Sequence, residues 1–233
     1  MTVFETGDLA AASYLSNFLG LAVAAVLLLL GSTWVDKSLR IPVTLCALAL
    51  LAAAAASFEG RLALAASGKI PVLYHYAGWI ISLPLLVLAL WFLAGRAGQQ
   101  SVGLFWRLVI VSVLMVFARY LGEAGYMHAT LAFLIGLVFW LYILGELYFG
   151  RMDEAVRLST DELLRRGYFW LRLIVTVGWA IYPLGNFITS FGGYQDDGAL
   201  SIAYNVADLL NIAIFGAALL ATAILSGADG KNA

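Results

Sequence analysis

Asp208 is the one carboxylate in the apolar run YNVADLLNIAIFGAALL, residues 204–220. Helical spacing puts Asp208, Asn211 and Ile212 on one face, with no cation on that face. An acid inside a membrane helix must be paired, hydrated or protonated, so a partner is expected. The segment YHYAGWIISLPLL, residues 74–86, offers one: His75, Gly78, Trp79 and Ser82 share a face, with Pro84 just beyond. In GWAIYPLGNF, residues 178–187, Trp179, Tyr182 and Pro183 do the same. Each stripe alone is what ordinary bundle packing produces. Together they describe an aromatic-walled cavity holding a single acid. His75 and Asp208 are expected to form a buried hydrogen-bonded pair, with Tyr182 alongside, that titrates as a unit; the alternative is a hydrated acid without a role.

Other chemistry is sparse. With two histidines, His75 and His128, and one cysteine, Cys46, the chain can build neither a disulfide framework nor a cysteine or histidine-rich metal site. Arg119 and Glu123 stand four apart and read as an intrahelical pair, while Glu146 and Arg172 read as snorkelling charges near helix ends.

These residues need a scaffold, and composition says which. Of 233 residues, 63% are hydrophobic and 12% charged, against about 25% charged in an average soluble domain. Mean hydropathy is +0.94. No soluble core of this size hides so much apolar surface, so the chain reads as an integral all-α membrane protein whose partner is the lipid bilayer. A span needs roughly 20 apolar residues. Seven stretches qualify, at about 10–34, 41–60, 71–95, 104–122, 127–149, 163–190 and 199–226, giving one seven-helix domain over 1–233. RMDEAVRLSTDELLRRG is the one long break, with Ser159 and Glu162 as a capping box for helix six. Lys37, Arg40, Arg96, Arg107, Arg151, Arg157, Arg165, Arg166 and Lys231 fall on one side, and mainly Arg61, Lys69 and Arg119 on the other. The positive-inside rule then places the N-terminus outside and the C-terminus in the cytoplasm. Nothing points to nucleic acid.

Several blocks, in this order, carry a resemblance: LGEAG at 121–125, FWLYILGELYFG at 139–150, GWAIYPLGNF at 178–187 and YNVADLLN at 204–211. The chain resembles the microbial (type 1) rhodopsins, within them the proteorhodopsin-like bacterial branch, over helices three to seven; helices one and two match weakly. The resemblance implies the seven-helix fold, a bacterial inner-membrane location and a retinal pocket lined by Trp79, Trp140, Trp179, Tyr182 and Pro183. It also exposes departures. The family carries ADxxNK in helix seven, whose lysine binds retinal as a Schiff base. Here Asp208 and Asn211 are followed by Ile212, and the only lysines are Lys37, Lys69 and Lys231. Isoleucine has no amine, so the imine cannot form there. The family's helix-three pattern RYxDWxxT reads HYAGWIIS here: His75 stands for the arginine, Gly78 for the proton-accepting aspartate and Ser82 for the threonine. Ala89 stands where bacterial pumps keep a proton-donating carboxylate.

A conventional light-driven proton pump is therefore not expected. The leading expectation is a lysine-less homologue, with no covalent cofactor, that holds retinal, a carotenoid or another isoprenoid non-covalently. Its pocket would comprise Trp79, Ser82, Pro84, Trp140, Trp179, Tyr182, Pro183, Asp208, Asn211 and Ile212, with extra room at Gly78 and Ile212. A second reading is a structural or regulatory partner, assembling with itself as a trimer, pentamer or hexamer or with a true rhodopsin, through small residues such as LALLAAAAAS at 48–57. A third, an isomerase using Asp208 and His75 as acid and base, rests on two groups alone.

Overall fold

Backbone polar groups in lipid must be satisfied within their own segment, so long apolar runs become helices. The computed structural model describes residues 6–69, 72–98, 101–192 and 197–229. It contains α1 (Thr6–Gly31), α2 (Lys37–Ser67), α3 (Val72–Gly95), α4 (Val102–Glu123), α5 (Ala129–Phe149), α6 (Arg151–Leu158), α7 (Glu162–Leu173), a π segment (Ile174–Gly178), α8 (Ile181–Gly192) and α9 (Asp197–Asp229). Among the described residues six helical stretches are long and apolar enough to cross a membrane. The sixth span in chain order is α7, the π segment and α8 together, and α9 is the seventh. Neighbours run α1–α2–α3–α4–α5, then α7 and α8, then α9, which packs back on α1 and closes the ring. Val23, Leu27 and Val138 stand 59%, 55% and 62% exposed on the outer face, as a lipid-facing belt requires.

The element ends follow from local chemistry. Ser101 Oγ accepts from Leu104 N–H at 3.1 Å and starts α4. Gly68, at φ 65°, turns the chain out of α2 where a side chain would be strained.

Several expectations need correction. Helix two runs to Ser67 rather than to residue 60. The long break is not irregular: α6 is an amphipathic helix with Met152 and Val156, one turn apart, buried. The cap of α7 is Asp161, whose Oδ1 accepts from Leu164 N–H at 2.8 Å, not Ser159, whose hydroxyl accepts from Asp161 N–H instead. Arg172 does not snorkel; its Nη1 donates to Asp153 Oδ1 at 2.7 Å and ties α7 to α6. The small residues of 48–57 are largely spent inside the bundle, with Ala49, Ala53, Ala54 and Ser57 all buried.

Helix six is not one continuous helix. Trp179 N–H reaches back to Ile174 O at 3.3 Å, a π step, and Tyr182 N–H reaches only to Trp179 O at 3.2 Å. Pro183 has no N–H with which to bond the Trp179 carbonyl, which explains the tightened turn. The irregularity frees two carbonyls. Val175 O accepts from Trp140 Nε1–H at 3.4 Å, and Gly178 O accepts from Asn211 Nδ2–H at 2.9 Å.

Candidate functional site

A cavity of about 60 Å³ opens between α3, α4, α5 and the broken sixth span. A single buried water needs about 10–15 Å³ on the same measure, so this is room for part of a larger apolar molecule. Helical spacing supplies its walls: Tyr76, Trp79 and Leu83 from α3, Met115, Val116 and Arg119 from α4, Gly136, Leu137 and Trp140 from α5, and Trp179, Tyr182 and Pro183 from the sixth span. The bend at Trp179–Tyr182 holds the aromatic wall in place, because the carbonyls it frees are bonded by Trp140 and Asn211.

Asp208 lies behind this wall. Trp79 Nε1–H is 2.9 Å from its Oδ1 and 3.1 Å from its Oδ2, and Tyr182 O–H donates to Oδ1 at 2.8 Å. The acid's oxygens are thus met by neutral hydrogen-bond donors rather than by a cation. The expected His75–Asp208 pair is not formed. His75 Nε2 is hydrogen-bonded to the Tyr14 hydroxyl at 2.7 Å, because α1 brings a phenol against this face of α3, while Trp79, one turn on, takes the carboxylate. His75 and Asp208 instead share a second cavity of about 10 Å³, with Asn17, Ser57, Gly78 and Asn205 also on its wall. Asn17 Nδ2–H donates to Ser57 Oγ and Asn205 Oδ1, each at 3.3 Å, and Asn205 Nδ2–H donates to Ser13 Oγ at 2.9 Å. This network lies largely on α1 and α2, where the family resemblance is weakest; the signal in the sequence was a lone asparagine in YLSNFLGL.

Of the ten residues expected around a ligand, Trp79, Trp140, Trp179, Tyr182 and Pro183 line the larger cavity. The other five do not. Asp208 faces the smaller cavity, Asn211 is bonded to the Gly178 carbonyl, and Ser82, Pro84 and Ile212 are buried in packed helix contacts. Ile212 is 0% exposed, so the extra room expected there is filled. Ala89 is likewise 0% exposed. The expected Arg119–Glu123 pair is absent: Glu123 Oε2 accepts from the Tyr76 hydroxyl at 2.5 Å, and Arg119 turns to the cavity.

Gly78 carries no extra room either. A Cβ there would stand 2.8 Å from Ala56 Cβ and 3.7 Å from Ala53 Cα, so the glycine lets α2 and α3 close on each other. Gly78→Ala is expected to lower stability by about 1–3 kcal/mol, the usual cost of overpacking. Ala56→Gly in the same chain should return most of it, and thermal unfolding in detergent reads both.

A family model described as bacteriorhodopsin-like protein matches residues 9–226. The chain belongs to the bacteriorhodopsin-like family. Among this family member's relatives, the green-light absorbing proteorhodopsin of Gamma-proteobacterium EBAC31A08 is 33% identical over 154 residues, 64% of this chain and 60% of the relative. The blue-light absorbing proteorhodopsin of Gamma-proteobacterium Hot 75m4 is 32% identical over the same share. These matches span less than two thirds of either relative. In structure, the blue light-absorbing proteorhodopsin from Med12 superposes with a TM-score of 0.81 at 27% identity, covering 93% of this chain and 98% of that one. This bacteriorhodopsin-like chain is a multi-pass membrane protein. Its lysines Lys37 and Lys69 stand at the two ends of α2, and Lys231 lies outside the described residues.

Proposed function

We propose that this chain binds an apolar polyene or isoprenoid, such as retinal or a carotenoid, non-covalently in the aromatic cavity, and that it does not work as a conventional light-driven proton pump. The observation that carries the reading is a cavity walled by Trp79, Trp140, Trp179 and Tyr182, while the position of the family lysine holds a fully buried isoleucine, Ile212. Such a cavity fits an apolar ring or chain, as ligand sites between bundle helices do. The residues present do not fit an imine, because no side chain on its wall carries a primary amine. Proton relay has no support beside it: Gly78 and Ala89 lack carboxyls, and Asp208 is occupied by Trp79 and Tyr182. Asp208 and His75 face the smaller cavity, so acid–base chemistry on the ligand forms no part of the reading. A bacterial inner membrane is proposed on the likeness to the proteorhodopsins, and an N-terminus outside on the charge distribution.

The test is to purify the chain with all-trans-retinal and record absorbance before and after solvent extraction. The expected result is bound retinoid that extracts completely and quenches tryptophan emission, since three tryptophans line the cavity. Absence of bound retinoid and carotenoid, in a stable oligomer, would replace this reading with a structural partner role.

A further inference from the structure

We infer that the occupant of the larger cavity carries a carboxylate, and that Arg119 receives it. The inference deepens the proposed function and rests on it: an apolar body in the aromatic cavity, now with a charged head. Arg119 sits on α4, a membrane span, and its side chain lines the cavity. A guanidinium keeps its charge in proteins and presents five donors. Here those donors are poorly used. Nη2–H reaches the Tyr182 carbonyl only at 3.4 Å, and Nε is buried with no acceptor among the described residues. The guanidinium carbon lies 5.6 Å from the Phe133 ring centre, a weak contact for the charge. No described carboxylate forms an ion pair with it. Glu123, one turn on along α4 itself, accepts from the Tyr76 hydroxyl, and Asp208 on α9 accepts from Trp79 and Tyr182.

Held half-buried one turn from the end of α4 with so few acceptors, the guanidinium favours a partner of opposite sign. The chain also makes room for it. A Cβ at Gly136 would stand 2.6 Å from Arg119 Cδ and 2.8 Å from Cγ, so a glycine on α5 lets the arginine stem lie along the cavity wall. The result is a site with two ends: aromatic rings at Trp140 and Trp179 for an apolar body, and a fork of unspent donors at Arg119 for a planar two-oxygen head. A fatty acid and an isoprenoid acid share that chemistry.

The experiment titrates the full chain in lipid nanodiscs with all-trans-retinoic acid and with retinol, which share a skeleton and differ in the head, and follows tryptophan quenching. Retinoic acid is expected to bind about tenfold more tightly than retinol, as a charge-assisted bond implies. Arg119→Gln should remove that preference, so that retinoic acid binds the variant no more tightly than retinol does, and Arg119→Lys should keep part of it. Palmitic acid assigns the source: displacement of retinoic acid at matching concentration indicates a fatty acid, and resistance to it an isoprenoid acid. Equal binding of retinoic acid and retinol to the parent chain would overturn the inference and leave the proposed function standing. Binding of neither would overturn both. The comparison on the parent chain needs no variant, so a misfolded Arg119→Gln does not leave the matter open.

Discussion

Ile212→Lys, loaded with all-trans-retinal, is expected to give a visible band that borohydride removes, where the parent chain gives only retinoid that solvent extracts. The substitution supplies the one group imine formation needs, a primary amine on the last span. The surroundings favour it. Asp208 lies one turn earlier on α9, with its carboxylate already fixed by Trp79 and Tyr182, and a carboxylate so placed can balance a protonated imine. The wall residues Trp79, Trp140, Trp179, Tyr182 and Pro183 are in place. The opposing effect is the loss of a packed isoleucine that is 0% exposed, at a cost of about 2–5 kcal/mol for truncation alone, part of which the lysine stem recovers. The change in spectrum is all-or-none. Adding Gly78→Asp should help only with Ala56→Gly, because the closeness of α2 leaves no space for a side chain at position 78. No described α9 residue lines the cavity, so the lysine stem must reach past the packed helix contacts. An Ile212→Lys protein that folds and binds retinal, yet yields no borohydride-sensitive band, would show that it does not.

Asp208→Ala is expected to lower stability by about 2–4 kcal/mol, and Asp208→Asn by less than half as much. Alanine leaves the buried Trp79 indole N–H and the Tyr182 hydroxyl without their acceptor, and each orphaned donor costs about 1–3 kcal/mol. Removing the acid also relieves the cost of holding a carboxyl in a membrane, which keeps the estimate below the sum of the larger values. Asparagine retains one acceptor oxygen, so it separates the two terms. Thermal unfolding followed by tryptophan emission reads both, and a Asp208→Ala chain as stable as its parent would show that water in the neighbouring cavity takes over as acceptor.

The spans and the Trp79 and Trp179–Tyr182–Pro183 parts of the aromatic wall were legible because they rest on local patterns, whereas Trp140 came only through the family resemblance. Apolar length sets a helix in lipid, and Trp179, Tyr182 and Pro183 share a face at helical spacing wherever the helix lies. What escaped depends on contacts between elements. His75 and Asp208 are matched in type, but Tyr14 on α1 and Trp79 on α3 reach them first. Arg119 and Glu123 have ideal spacing for a pair, yet Tyr76 on the neighbouring helix draws the acid away and leaves the base facing the cavity. The break in the sixth span had its hints in Gly178 and Pro183, but the partners that stabilise it, Trp140 and Asn211, come from α5 and α9. Room at Gly78 was inferred from what a missing side chain vacates, when the neighbouring helix had moved in to use it.

The most direct test of non-covalent binding is intact-protein mass after incubation with all-trans-retinal and reduction by borohydride. The expected result is an unchanged polypeptide mass, with the retinoid recovered free in the organic phase. A polypeptide heavier by one retinyl group, fixed to any of the three lysines or to the N-terminus, would contradict it.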